Sequence, residues 1–97
     1  MSKKTIPLSE LRGRINEIDR GLLELLRARR DTSIEVVRTK DAEDRPVRDL
    51  AREQEALVRL IQLGKEQGLD AHFVTRVFRE LIEDSVKLQQ GYLQDLA

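Results

Sequence analysis

Along residues 8–40, apolar side chains recur at the helical interval of about 100° per residue. Leu11, Ile15, Ile18, Leu22, Leu25 and Leu26 fall on one stripe, and Arg29 and Lys40 continue along its centre. Two cations thus stand where leucines are expected. A second stripe, Leu50, Leu57, Leu60 and Ile61, carries Glu53 on its face. A third, Val74, Phe78, Leu81 and Ile82, next meets Ser85 and Gln89 before Tyr92, Leu93 and Leu96 resume it. The pattern predicts an all-α fold of one long helix and two shorter ones, each broken on its apolar side by polar groups.

Local signals set the expected boundaries. The first helix begins near Pro7 or Leu8, with Thr5 or Ser9 as its cap, and persists to about Lys40. Gly13 and Gly21 weaken it without ending it. Asp41 to Asp49 reads as the first connection, because the residue before Pro46 is pushed out of helical geometry. Asp49 caps a second helix from about Leu50 to Glu66, which stops at Gly68, a residue suited to the left-handed position. Asp70 opens the third helix, which continues to about Gln94, with Gly91 a mild weakness near its end. At ~1.5 Å per residue the first helix spans roughly 50 Å, too long for two shorter helices of the same chain to cover. An intertwined homodimer is the simplest arrangement that buries the remainder.

Composition narrows the classes. Ninety-seven residues make a single domain over 1–97, near the size at which stability needs help. Charged residues reach 37% and aromatics 3%, a balance of solvated helices and not of a β-sandwich. Lysine plus arginine and aspartate plus glutamate are equal at 18 each, so no global attraction to nucleic acid or acidic membrane is expected. With no cysteine and one histidine, disulfides and the common zinc sets are excluded. No apolar run reaches membrane-spanning length, and Met1 to Lys4 has no apolar segment behind it, so it is not a secretory signal. The expectation is a cytoplasmic protein with no cofactor and no metal.

Burying an unpaired charge costs several kcal/mol. Arg29, Lys40, Glu53, Ser85 and Gln89 on inward faces therefore imply mutual pairing or a polar ligand. Singly, each has an ordinary explanation. Arg29 or Lys40 could extend from an interface edge, Ser85 could bond back to its own helix, and Gln89 could set pairing register. Together, on three helices, they can converge. Arginine's planar fork matches a carboxylate, lysine supplies a movable point charge, and two cations beside a neutral amide suit a small polycarboxylate. Arg12, about 100° from the stripe centre, could reach the same pocket from its edge, including from a partner subunit. His72, near the start of the third helix, reads as a surface or capping residue, and Glu17 as an outer-face acid.

The order Leu11-Arg12, Ile15, Asp19, Leu22-Leu23, Leu25-Leu26, Arg29-Arg30, Lys40, then Arg45-Pro46-Val47-Arg48-Asp49 with Arg52-Glu53, resembles the all-helical class of chorismate mutases. The likeness continues through Leu69-Asp70-Ala71-His72 and Ile82-Glu83-Asp84-Ser85 to Gln89-Gln90. It is nearest to the mutase domain at the front of bacterial bifunctional chorismate mutase–prephenate dehydratases, and since the sequence stops at residue 97 the dehydratase half is expected to be absent. The resemblance implies substrate-binding roles for Arg12, Arg29, Lys40, Asp49, Arg52, Glu53, Ser85 and Gln89. Arg12, from the partner subunit, and Arg29 would grip two carboxylates with help from Lys40. Lys40 and Gln89 would donate to the ether oxygen of the breaking bond. Glu53 and the Asp49 backbone would hold the ring hydroxyl, while Arg52 and Ser85 complete the lining. Ser33, where the bacterial relative has alanine, lies one turn beyond Arg29 on the inward stripe, and its hydroxyl either retunes the site or bonds backwards. The segments Asp31-Thr32-Ser33 and Asp41-Ala42-Glu43-Asp44 also depart from that relative.

The implied reaction, chorismate to prephenate, is a unimolecular pericyclic rearrangement that needs no nucleophile, metal or general base. An enzyme can hold the compact chair-like form and aim preset donors at the ether oxygen. About a million-fold acceleration corresponds to about 8 kcal/mol. Two other readings compete. An isochorismate-pyruvate lyase of the same fold also binds a dicarboxylate through arginines, although the complete Lys40, Glu53 and Gln89 set favours the mutase. A non-enzymatic dimeric helical adaptor would use the inward polar groups only to set pairing.

Overall fold

The computed structural model describes residues 4–96 as three helices, α1 (Leu8–Ala42), α2 (Leu50–Glu66) and α3 (Ala71–Leu96). Residues 1–3, which include most of the segment read as no secretory signal, lie outside the described residues, as does residue 97. Among the described residues no helix is long and apolar enough to cross a membrane.

The helix ends follow from local chemistry. At the start of α1 the Pro7 carbonyl accepts from the amides of Glu10 and Leu11, at 3.0 and 3.1 Å. Pro7 therefore holds the capping position expected of Thr5 or Ser9, and its missing N–H costs nothing where helical amides lack partners. α1 runs two residues beyond Lys40, so Asp41 and Ala42, expected in the connection, are helical. It closes with a left-handed Asp44 at φ 57°. Arg45 N donates to the Lys40 carbonyl at 2.7 Å and Asp44 N to that of Asp41 at 3.1 Å, the paired 6→1 and 5→2 bonds that satisfy terminal carbonyls. α2 ends in the same way around Gly68 at φ 76°, with Leu69 N on Gly64 O and Gly68 N on Lys65 O, each at 2.9 Å. The Asp49 side chain accepts from Arg52 N at 3.1 Å to cap α2, and Asp70 Oδ2 accepts from Phe73 N at 3.0 Å to start α3. α3 reaches Leu96, two residues past the expected Gln94.

The chain divides after Asp31 into two compact units. In the first, the α1 stripe faces solvent: Ile15, Ile18, Leu22 and Leu25 are 56%, 62%, 53% and 69% exposed. Off that stripe lie the ion pairs Arg14–Glu10, Arg20–Glu17 and Arg27–Asp31. In the second unit α2 and α3 pack together around a core of Val37, Leu57, Val74 and Val86. Gly64 permits their close approach, since a Cβ there would lie 2.7 Å from a Val74 methyl. The end of α1 is tied to α3 by Arg38, whose Nε donates to the Tyr92 hydroxyl at 2.8 Å while the guanidinium lies 5.5 Å from the ring centroid.

Candidate active site

Two polar side chains are buried in the second unit, Ser33 and Gln89, and they meet. Gln89 Nε2 donates to the Ser33 carbonyl at 2.9 Å, and the Ser33 hydroxyl lies 3.0 Å from that of Ser85. A buried amide is tolerated when its donors are satisfied, and this one is held by a backbone acceptor on α1. Ser33 thus touches two of the residues expected in the site, its hydroxyl reaching across to α3. Ser33→Ala keeps the carbonyl that Gln89 uses and removes one hydroxyl that pairs with Ser85. It is expected to cost about 1 kcal/mol of stability, read as a lower urea midpoint at unchanged slope; an unchanged midpoint would mean Ser85 replaces the bond at no cost.

Lys40, half-buried near the end of α1, donates from Nζ to the Val47 carbonyl at 2.8 Å. Its ammonium is thereby fixed against the connection that leads into α2. On the first turn of α2 stand Asp49 as cap, exposed Arg52, and half-buried Glu53. Glu53 is gripped from outside: Arg48 Nε donates to its Oε2 at 3.2 Å and Nη2 to its Oε1 at 2.9 Å. The same guanidinium bonds both carboxylate oxygens of Glu83 on α3. The Arg48 bond holds the Glu83 carboxyl below the usual carboxylate range, against a smaller opposing effect of desolvation. Because that pKa is lowered on folding, the associated stabilisation is present at neutral pH and is lost as pH falls through the carboxylate range.

A cavity of ≈ 300 Å³ opens between α2 and α3, lined by Arg48, Glu53, Gln54, Leu57, Arg79 and Glu83 among others. Of the expected site residues it takes in Glu53; Lys40, Ser85 and Gln89 stand outside its lining. Arg12 and Arg29 belong to the first unit, where Arg12 is exposed and Arg29 half-buried. His72 is exposed at the start of α3. Arg48 and Glu83 were not among the expected site residues. The available signal was a forked cation immediately before a capping aspartate and five positions before an inward acid. Among the described residues no three His, Cys, Asp or Glu side chains are grouped as metal ligands. The second unit therefore holds a fixed ammonium, a buried amide donor and an immobilised carboxylate, of which only the carboxylate lines the cavity.

A family model described as chorismate mutase type II matches residues 11–90. The bifunctional chorismate mutase/prephenate dehydratase of Escherichia coli (strain K12) is 51% identical over 88 residues, which cover 91% of this chain and 23% of the relative. The protein of the same description from Buchnera aphidicola subsp. Schizaphis graminum is 35% identical over 86 residues, 89% of this chain and 22% of the relative. A chorismate mutase of Methanocaldococcus jannaschii is 33% identical over 88 residues, 91% of this chain and 89% of the relative. The chain spans less than a quarter of the length of the bifunctional relatives it matches and nearly all of the archaeal one.

Proposed function

The chain belongs to the chorismate mutase type II family, and from that premise we propose that it is an isomerase that rearranges chorismate to prephenate, in phenylalanine and tyrosine biosynthesis in the cytoplasm. The observation that carries the reading is Gln89, an amide only 6% exposed on a helix face it shares with Ser85, Val86 and half-buried Leu81, Ile82 and Leu93. A pericyclic rearrangement asks for a neutral donor and cations held in place and for no side chain that changes covalently. Lys40 and Gln89 donate to the ether oxygen as negative charge develops there. Arg29, with Arg12 from a second subunit, binds the two carboxylates. Glu53 and the Asp49 amide take the ring hydroxyl, and Arg52 and Ser85 complete the lining. Following chorismate at its ultraviolet band with the product identified tests this: prephenate is expected. No turnover sinks the proposal, and released pyruvate would assign the lyase reaction instead.

The working form is a homodimer. The stripe Leu11, Ile15, Ile18, Leu22 and Leu25 is exposed in the single chain, and fully burying each such side chain contributes about 1.5–3 kcal/mol. A second copy presents the same stripe and so covers it by symmetry. Arg12, exposed beside that stripe, then reaches the other chain's pocket. Inactive Arg12→Ala and Arg29→Ala proteins, mixed under subunit exchange, are expected to regain activity, because one pocket of each heterodimer keeps both arginines and the other has neither. Heterodimers that form without activity would place Arg12 in its own chain's pocket or outside the site.

A further inference from the structure

Arg48 is a cation for which the proposed reaction has no use, yet it is the most constrained guanidinium at the cavity. Both of its sides are fixed: Lys40 holds the carbonyl of Val47 before it, and Asp49 after it caps α2. From that anchored position it forks onto carboxylates from two helices, Glu53 of α2 and Glu83 of α3. All three residues line the same cavity, with Arg79 facing them from α3; Lys87 also acts on Glu83. Exposed pairs of this kind add little to stability, and Arg48 and Glu83 are both more than a third exposed. Stability is therefore a weak reason for the fork, and its geometry has two consequences for a ligand. With one guanidinium nitrogen on each oxygen, the Glu53 carboxylate cannot rotate freely about its last torsion, and lone pairs not used by Arg48 keep a fixed direction. Two unscreened carboxylates at one cavity would also repel a dianion, and the shared cation offsets that repulsion.

We propose that Arg48 is a positioning residue for the rearrangement: it holds Glu53 in the orientation that receives the substrate's ring hydroxyl and neutralises Glu83 so that a dianion can enter. This rests on the reading of the chain as a chorismate mutase with Glu53 on the ring hydroxyl, so the parent's turnover is measured first. A parent without turnover overturns both that reading and this inference, whereas an active parent isolates Arg48. In an active parent, Arg48→Ala is expected to lower kcat/KM about tenfold, mainly through KM, with helix content unchanged. Arg48→Lys, which keeps the charge without the fork, should recover part of the loss. In a Glu53→Gln background the same Arg48→Ala change should cost less than about threefold, because residues acting through one another are not additive. Adding Glu83→Gln to Arg48→Ala should restore part of KM by removing the uncompensated charge, an effect a purely structural arginine would not produce. An Arg48→Ala protein within about threefold of the parent overturns the proposal, and so does an undiminished cost in the Glu53→Gln background. If Arg48→Ala fails to fold, Arg48→Lys carries the same comparison: additivity with Glu53→Gln overturns the inference and non-additivity supports it.

Discussion

Replacing Lys40 by alanine is expected to lower kcat/KM by at least about two orders of magnitude, roughly 3 kcal/mol of transition-state stabilisation. The size follows from what the ammonium does in the proposed mechanism. It is a donor fixed before the reaction begins, half-buried and bonded to the Val47 carbonyl at 2.8 Å, so aiming it at developing charge requires little reorganisation. The same substitution strands that carbonyl, which lowers stability by about 1 kcal/mol or somewhat more. Lys40→Gln separates the two effects, since a neutral amide can still donate to Val47 but brings no charge. Its urea midpoint should return toward the parent's while its kcat/KM stays low. Arg29→Ala should cost a similar amount through its carboxylate contact, with helix content intact. A Lys40→Ala protein whose kcat/KM stays within a few-fold of the parent's would remove the residue from the mechanism.

The helices were legible in the sequence because their signals are local. Asp49, Gly68 and Asp70 each cap or stop a helix with atoms of their own or adjoining residues, and the structure places α2 and the start of α3 where those residues predict. α1 ends two residues beyond the expected Lys40 for a related reason: its left-handed stop is Asp44, and aspartate signals that conformation far less strongly than glycine does. The polar breaks in the apolar stripes marked Ser85 and Gln89 as worth explaining, and the departure at Ser33 flagged the position that joins them. What could not be read was the partner of each. Gln89 bonds a backbone carbonyl 56 positions away, and a carbonyl has no residue identity to announce it. Arg48 was not singled out, because its reach to Glu83, 35 positions on, exists only once α3 lies against α2. The first unit gives the reverse case: its apolar stripe is plain in the sequence, and in the single chain it stays exposed.

Gln89→Glu is expected to convert a pH-independent enzyme into one that works only in acid. The amide donates a hydrogen bond at any ordinary pH, whereas a carboxyl donates one only when protonated. The unperturbed glutamate pKa is about 4.3, so at neutral pH the variant should be nearly inactive. Two features push the midpoint of recovery above that value: position 89 is only 6% exposed, and its present partner is the Ser33 carbonyl at 2.9 Å. Burial disfavours the charged form, and a carbonyl can pair with the acid but repels the carboxylate; in the proposed site the Lys40 cation opposes both. Stability must follow with a definite sign. A carboxyl whose pKa rises on folding leaves the variant close to the parent below about pH 4.3 and destabilises it as pH rises through the folded pKa. Because kcat/KM reports groups of the free enzyme, the ratio of variant to parent kcat/KM should fall around the folded pKa, and the difference in their melting temperatures, growing from about pH 4.3, should level off there. The parent should show no acid-side rise. A variant whose kcat/KM profile runs flat and parallel to the parent's would mean that residue 89 donates nothing to the breaking bond, and the proposed division of labour between Lys40 and Gln89 would fall with it.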